Sequence, residues 1–396
     1  MQRPVPSPLK AHWLLEPETI FLNHGSFGAC PRLVLEAQHV LRQQLEAQPV
    51  RFFVRNYEAL LDKARQALAD FLHADPEGLA FVPNATHGVN TVLRAMSFQS
   101  GDQILITDHG YNACNNAARI IAKLHQAEVI VASLPFPTQE ATQLHDAVLQ
   151  HITPRTRLVL LDHVTSPSAL ILPIHSLIPK LRERGILTLI DGAHAPGMLP
   201  LDLRALDPDF YTGNCHKWMC APKGTAFLYV RDAWRESLQP LAISHGENDP
   251  RSERSRFHKR FDWVGTGDPT PYLSLPTVLS TLPQILRLSW QEIQQHHHEK
   301  ACAARQLLSQ RLSLPLLCPD HLLGSMAALP LPSLHSPLPS GTIDPLQQRL
   351  FTDHAIEIPV MPYPSRNQRL IRLSAHTYNT TDEYLYLADA LSALLS

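Results

Sequence analysis

Short apolar runs alternate with helix-length segments along most of this chain, and that alternation restricts the fold more than any other feature. The runs "GLAFVP", "DQILITD" (102–108), "EVIVASL" (128–134), "RLVLLDHV" (157–164), "ILTLIDG" (186–192), "DFYTG" (209–213) and "TAFLYV" (225–230) are short and nearly continuous, and most are rich in Leu, Ile and Val. Strands of that texture are buried on both faces, which a mostly parallel sheet covered by helices provides. Segments such as "PRLVLEAQHVLRQQLEAQ" (31–48), "YEALLDKARQALADFLHA" and "LIPKLRERG" carry the helical spacing between them.

The texture changes beyond about residue 270. A long helical region (about 273–313) precedes the proline-rich loop "LPLPSLHSPLPSGT", strand candidates near "IEIPVM" and "RLIRLSA", and a terminal helix "TDEYLYLADALSALL" with a threonine cap. A chain of 396 residues exceeds one core. The expected organisation is therefore an N-terminal segment (1–20), a large α/β domain (21–269) and a smaller C-terminal α+β domain (270–396).

Charge and cysteine usage narrow the partners. A net charge of −2 gives no electrostatic footprint for nucleic acid or anionic membrane, so a small molecule is the expected partner. The first residues lack the apolar stretch of a secretory signal, and no apolar run is long enough to span a bilayer. Six cysteines without framework spacing then place the protein in the reducing cytoplasm. The triplet His296–His298 lies in a polar helical stretch where successive side chains diverge, so it reads as a solvated face, and no metal site is expected.

In an open α/β sheet, ligands bind beyond the carboxyl ends of the strands. Those ends hold Asn84, Ala85 and Thr86; Asp108, His109 and Tyr111; Thr165 and Ser166; Asp191 and His194; and Asn214, His216 and Lys217. The turn at Asn84–Thr86 is either a plain helix cap or an anion site. No GxxxxGK[ST] or strand-following GxGxxG occurs. Asp191 and Lys217, alone a cap and a surface charge, together suit pyridoxal 5′-phosphate. That cofactor needs a lysine for a Schiff base, a carboxylate at the pyridine nitrogen and a helix N-terminus for its phosphate.

The motifs "DGAHAPG" (191–197), "NCHKW" (214–218) with "PKGTAFL", "FVPNATHGVNTVL", "GTGDPTPYL" and "IRLSAHTYN" resemble fold-type I pyridoxal-phosphate enzymes of aminotransferase class V. "LNHGSFGACP" and "PVRFFVRNYEALL" narrow the resemblance to the isopenicillin N epimerase-like branch, which includes hercynylcysteine sulfoxide lyases. The resemblance implies a Schiff-base Lys217, with Asp191 at the pyridine nitrogen and His194 near the phenolic oxygen. It also implies His216, Ala85 and Thr86 around the phosphate end, Asn214 among the cofactor-binding residues, Tyr111 stacked on the ring and Thr165 as a polar contact to the ring or its oxygen. Arg372 would hold the substrate α-carboxylate. Asn23 and His24 would line the substrate entrance or simply form a turn, and Thr266 would reach a phosphate in the partner of an implied homodimer.

The implied reaction starts at the α-carbon of an amino acid, with Lys217 as base and Tyr111 or His24 as a second proton donor. Epimerisation is the main reading and β-elimination by a C–S lyase the alternative; transamination and a non-catalytic cofactor-binding role are weaker. A desulfurase needs a cysteine shortly before the carboxylate arginine, and the nearest preceding one is the distant Cys318. Cys114 and Cys215 are either reactive or simply packed thiols. Arg51 and Arg55 either bind a distal carboxylate of a long substrate or lie on a solvated helix face.

Overall fold

All seven apolar runs pair into one sheet in the computed structural model, which describes residues 2–339 and 341–395. Met1, in the expected N-terminal segment, Ser340, in the expected proline-rich loop, and Ser396 lie outside the described residues. The chain first enters a two-residue strand β1 (Ile20–Phe21). The large sheet follows with β2 (Leu79–Val82), β3 (Gln103–Thr107), β4 (Glu128–Ala132), β5 (Thr156–Asp162), β6 (Leu187–Asp191), β7 (Phe210–Asn214) and β8 (Ala226–Val230). Their order is β2-β8-β7-β6-β5-β3-β4, and β8 alone runs antiparallel to its neighbours.

Alternate residues of these strands feed two separate cores. Ile104, Ile106, Leu158, Leu160 and Leu189 pack on one face. Leu105, Val159, Leu161, Ile190 and Tyr211 pack on the other. A fully buried Leu or Ile contributes about 2 kcal/mol, so a sheet apolar on both sides is stable only when helices cover both. Connections run outward from β3 to β4 and then back past β3 to β5, β6 and β7. The topological switch, and the crevice it opens, therefore lies between the ends of β3 and β5.

A second, antiparallel sheet has the order β11-β12-β9, formed by β9 (Met326–Leu331), β11 (Val360–Pro362) and β12 (Arg369–Ser374). Strand β10 (Ile356–Glu357) pairs in parallel with β1, joining the two ends of the chain. The terminal helix Thr381–Leu395 follows Thr380, whose hydroxyl accepts the Glu383 N–H at 3.4 Å while Glu383 reaches back to the Thr380 N–H at 3.2 Å.

Three expectations change here. The helical region 273–313 is two helices, Leu275–Leu286 and Trp290–Leu312, because Arg287 turns left-handed (φ 54°) and Ser289 with Glu292 forms a capping box. The first residues of the proline-rich stretch belong to β9; β9 is an edge strand, where a proline such as Pro330 removes no ladder hydrogen bond from a second neighbour. The histidine triplet is solvated only in part. His297 is buried, with Nε2 2.7 Å from Thr377 Oγ1 and its ring against His376.

Candidate active site

Four parallel strand ends build one rim, in the spatial order β7, β6, β5, β3. Lys217 follows β7, Asp191 ends β6, Asp162 ends β5 and Tyr111 follows β3. They line a cavity of about 650 Å3 together with Ala85, Thr86, Ser166, His194, Asn214 and His216.

Lys217 is fixed through its backbone. Its carbonyl accepts the Cys220 N–H at 3.0 Å and lies 3.0 Å from His24 Nε2. Gly28 crosses directly above: at φ +70° a Cβ there would stand 2.0 Å from the His216 carbonyl and 2.9 Å from Lys217 Cα. Only glycine permits that approach, and it brings Ser26 and Phe27 onto the cavity wall. The Lys217 Nζ lies 3.2 Å from His194 Nε2. Burial, followed by the charge of Arg372, lowers the amine to about 7 against the pull of Asp191 and Asp162. The indole N–H of Trp218 donates to His194 Nδ1 at 3.5 Å, so the imidazole proton sits on Nε2, facing the amine. Burial holds His194 well below its ordinary value, and hence neutral.

The acid side is a pair. Asp162 and Asp191 are register partners on adjacent strands, and both are buried. Burial and then the neighbouring Asp191 push the Asp162 carboxyl well above the usual range; burial also raises Asp191, eased by the Cys114 thiol at 3.0 Å and the Ala193 N–H at 2.9 Å. Asp162 accepts the Tyr111 N–H at 3.3 Å. Burial keeps the Tyr111 hydroxyl above its ordinary value, and the side chain is 44% exposed toward the opening.

Opposite the acids stands the start of the helix Ala85–Ala95. Asn84 caps it by accepting the His87 N–H at 2.9 Å, and Asn214 Oδ1 accepts the Ala85 N–H at 2.8 Å. Both the cap and the anion readings of this turn therefore have a residue to carry them, since Thr86 remains on the cavity wall. Gly88 lets the helix lie close on β7, where a Cβ would stand 2.2 Å from Thr212 Oγ1. His216 is partly buried, with Nδ1 3.1 Å from the Thr225 carbonyl, and burial lowers it to about 4.

Arg372, on β12, is 2% exposed. Nη1 donates to the Ser166 carbonyl at 2.6 Å, and Nη2 to Ser26 Oγ at 3.1 Å. Burial lowers the guanidinium only to about 10, so it stays cationic, and among the described residues it has no carboxylate partner.

Four expected residues sit elsewhere. His24 is fully buried between the Tyr378 hydroxyl at 2.7 Å and the Lys217 carbonyl, so it buttresses the lysine and lines no entrance. Asn23 is buried too, donating to Glu357 at 3.0 Å. Thr165 is closed into its own turn, 2.7 Å from Ser168 Oγ and accepting the Leu170 N–H at 2.9 Å. Thr266 is exposed, away from this cavity, and Arg51 and Arg55 lie on an exposed helical face. Cys215 is buried; His24, Cys220 and His376 bring ligand atoms within 4.8 Å, but both His24 nitrogens are already committed.

Sequence reasoning passed over Asp162, Ser26, Phe27 and Lys223, all of which line the cavity. Asp162 had a signal: "LVLLD" ends in an acid as "LTLID" does.

Residues 22–387 match the description of the aminotransferase class-V family. The chain is 34% identical to an isopenicillin N epimerase of Streptomyces clavuligerus over 97% of each chain. It is 28% identical to a putative L-cysteine desulfhydrase of Oryza sativa subsp. japonica over 95% of this chain and 83% of the other. In structure it is similar to a C-DES mutant with glycine covalently linked to its pyridoxal-phosphate cofactor, with a TM-score of 0.82, 22% identity and 97% and 98% of the two chains covered.

Proposed function

The chain belongs to the aminotransferase class-V family, its cofactor is pyridoxal 5′-phosphate, and on that premise we propose that it epimerises the α-carbon of an amino acid. The fold is that of the fold-type I enzymes, a mostly parallel sheet with a small antiparallel sheet beside it.

The cavity residues fit the cofactor. A lysine amine, a buried carboxylate and a helix N-terminus carrying a hydroxyl line one cavity, and a buried guanidinium, without a carboxylate partner among the described residues, stands beside them. Lys217 would hold the aldehyde carbon, Asp191 the pyridine nitrogen, Thr86 and His216 the phosphate end, and His194 the phenolic oxygen. When bound, the cofactor withdraws electrons from the substrate α-carbon and makes its proton acidic.

Arg372 takes the α-carboxylate in a bidentate grip and fixes which α-bond faces Lys217. The Lys217 amine, lowered to about 7, is a base matched to neutral pH. Tyr111, whose raised hydroxyl keeps its proton, returns one from the other side. The observation that carries this reading is topological. Lys217 and Tyr111 leave strands β7 and β3, about 14 Å apart across two intervening strands, so the acid pair at the ends of β6 and β5 stands between two proton carriers.

β-Elimination from an S-substituted cysteine is the second reading, supported by the desulfhydrase relative and requiring only Lys217 and room for a sulfur leaving group. A desulfurase with a nucleophilic thiol has no support, since no cysteine is among the described residues lining the cavity.

A homodimer is part of the proposal. The exposed loop carrying Thr266 borders a smaller cavity that shares Pro83 and Gly224 with the larger one, which suits a loop reaching a neighbouring subunit's phosphate site. No described helix is long and apolar enough to cross a membrane, and six free thiols suit the cytoplasm.

Incubation with L-amino acids and S-substituted cysteines in deuterated water tests the reading. Deuterium at the α-carbon with the D-isomer appearing supports epimerisation, and pyruvate with thiol release supports the lyase. Neither product, from a protein that gains no visible absorbance with pyridoxal phosphate, overturns both.

A further inference from the structure

The phenol that returns a proton has no partner of its own. Among the described residues the Tyr111 hydroxyl makes no hydrogen bond, and the side chain is 44% exposed at the cavity opening. Its place there is therefore set by its main chain.

That main chain is held from outside the helix it opens. Tyr111 precedes the helix Asn112–Leu124, which has no side-chain cap and no acid in its first turn, although a helix N-terminus attracts negative charge. An acid from another element stands there instead: Asp162, buried at the end of β5, accepts the Tyr111 N–H at 3.3 Å. One turn further in, the Cys114 thiol donates to Asp191 at 3.0 Å. Each acid of the register-paired couple thus holds one point on the first turn, three residues and about 4.5 Å of rise apart. The Asn115 amide closes the path from β3 by donating to the carbonyls of Thr107 and Gly110 at 3.1 and 3.3 Å. Asp108, on the same path, is committed elsewhere, accepting from Ser133 Oγ at 2.8 Å and from the Leu134 N–H at 2.9 Å. Asp162 is the acid that reaches the start of the helix.

We propose that Asp162 is a positioning residue for the second proton: by accepting the Tyr111 N–H it fixes the phenol relative to Asp191, so that the phenol meets the α-carbon from the side opposite Lys217. The proposal rests on epimerisation at the α-carbon. It gives the two acids different work, Asp191 at the cofactor and Asp162 at the start of the helix, and so accounts for an acid at the end of both β5 and β6.

Incubation of the pyridoxal-phosphate holoenzyme with L-alanine, L-methionine and L-glutamate in deuterated water gives two rates for each substrate that reacts. Deuterium entering the L-isomer reports the Lys217 side alone, whereas D-isomer formation needs the Tyr111 side as well. In Asp162→Ala the ratio of D-isomer formation to L-isomer exchange is expected to fall about tenfold, since a displaced acid keeps part of the roughly hundredfold that a positioned one contributes. Asp162→Asn, whose amide oxygen accepts the same N–H, restores most of the ratio. In a Tyr111→Phe background, Asp162→Ala lowers the ratio no further, because one residue acts through the other. Asp162→Ser, polar but one atom too short to reach the N–H, is read instead if the alanine variant does not fold. An unchanged ratio in Asp162→Ala or Asp162→Ser, an asparagine variant as impaired as alanine, or an effect that adds in full to Tyr111→Phe overturns the role and leaves the α-carbon reading intact. A wild type that exchanges its α-proton without forming a D-isomer ends the epimerisation reading, and the role of Asp162 with it. If none of the three amino acids exchanges, the α-carbon reading itself falls.

Discussion

The Cys114 thiol stands 3.0 Å from Asp191 Oδ2, and both groups are buried. Burial and the adjoining carboxylate hold the thiol far above its ordinary value, so it is a permanent donor rather than a nucleophile. Its hydrogen bond favours the ionised form of Asp191, which the proposed contact with the pyridine nitrogen requires. Cys114→Ala should weaken pyridoxal-phosphate affinity about tenfold, the worth of a hydrogen bond to a charged group, whereas Cys114→Ser retains a donor and should stay near wild type. An absorbance titration of the apoprotein decides, and an alanine variant that binds as tightly as wild type rules the role out.

Burial, and after it the charge of Arg372, pushes the Lys217 amine down from the ordinary lysine value of 10.5 to about 7. Its neutral amine is the form that captures an aldehyde. Capture of pyridoxal phosphate by the apoprotein should therefore rise with pH through about 7 and level off above it. Because the folded value is the lower one, the unfolded chain binds more protons in between, and apoprotein stability should increase from about pH 7 toward 10.5 through this group. A capture midpoint near the ordinary lysine value would contradict the assignment.

Arg372 is a buried cation without a carboxylate partner among the described residues. Burying a cation without such a partner is costly, and the proposed function supplies one in the substrate carboxylate. Arg372→Met should raise the KM for amino acids about a hundredfold, by removing a charge-assisted pair of hydrogen bonds, while the apoprotein melts no lower than wild type. A large fall in Tm with KM unchanged would assign Arg372 to the structure instead.

At Gly28, an alanine Cβ would meet the His216 carbonyl in a backbone conformation that disfavours side chains. Gly28→Ala should cost about 2 kcal/mol and loosen Lys217 at the same time. Thermal melting and the rate of cofactor loss on dialysis should shift together. Wild-type behaviour in both would show that the N-terminal segment does not constrain the lysine.

The sheet was legible because β-strand texture is local: most of the seven runs announce themselves through Leu, Ile and Val, "DFYTG" through Phe, Tyr and Thr, and the acid at the end of "LTLID" marks a ligand-facing position. Lys217, Asp191 and Thr86 could be placed on one rim for the same reason. His24 and Thr165 could not be placed correctly, since a histidine or threonine beside a strand reads alike whether it faces the ligand or closes a hydrogen bond behind it. That choice is made by residues far away, Tyr378 for His24 and Leu170 within the turn for Thr165.

The pairing of β1 with β10 also sets an order of events during synthesis. The wall formed by Ser26, Phe27 and Gly28 hangs from contacts made near the other end of the chain: Asn23 with Glu357, His24 with Tyr378, and the Gly25 N–H with Ser374 Oγ at 3.0 Å. On the ribosome, residues 20–28 emerge well before these partners and wait for more than three hundred others. The large sheet can assemble meanwhile, but the lysine pocket stays open on one side until Glu357, Ser374 and Tyr378 have been made, so the wall over Lys217 is among the last parts of the site to close.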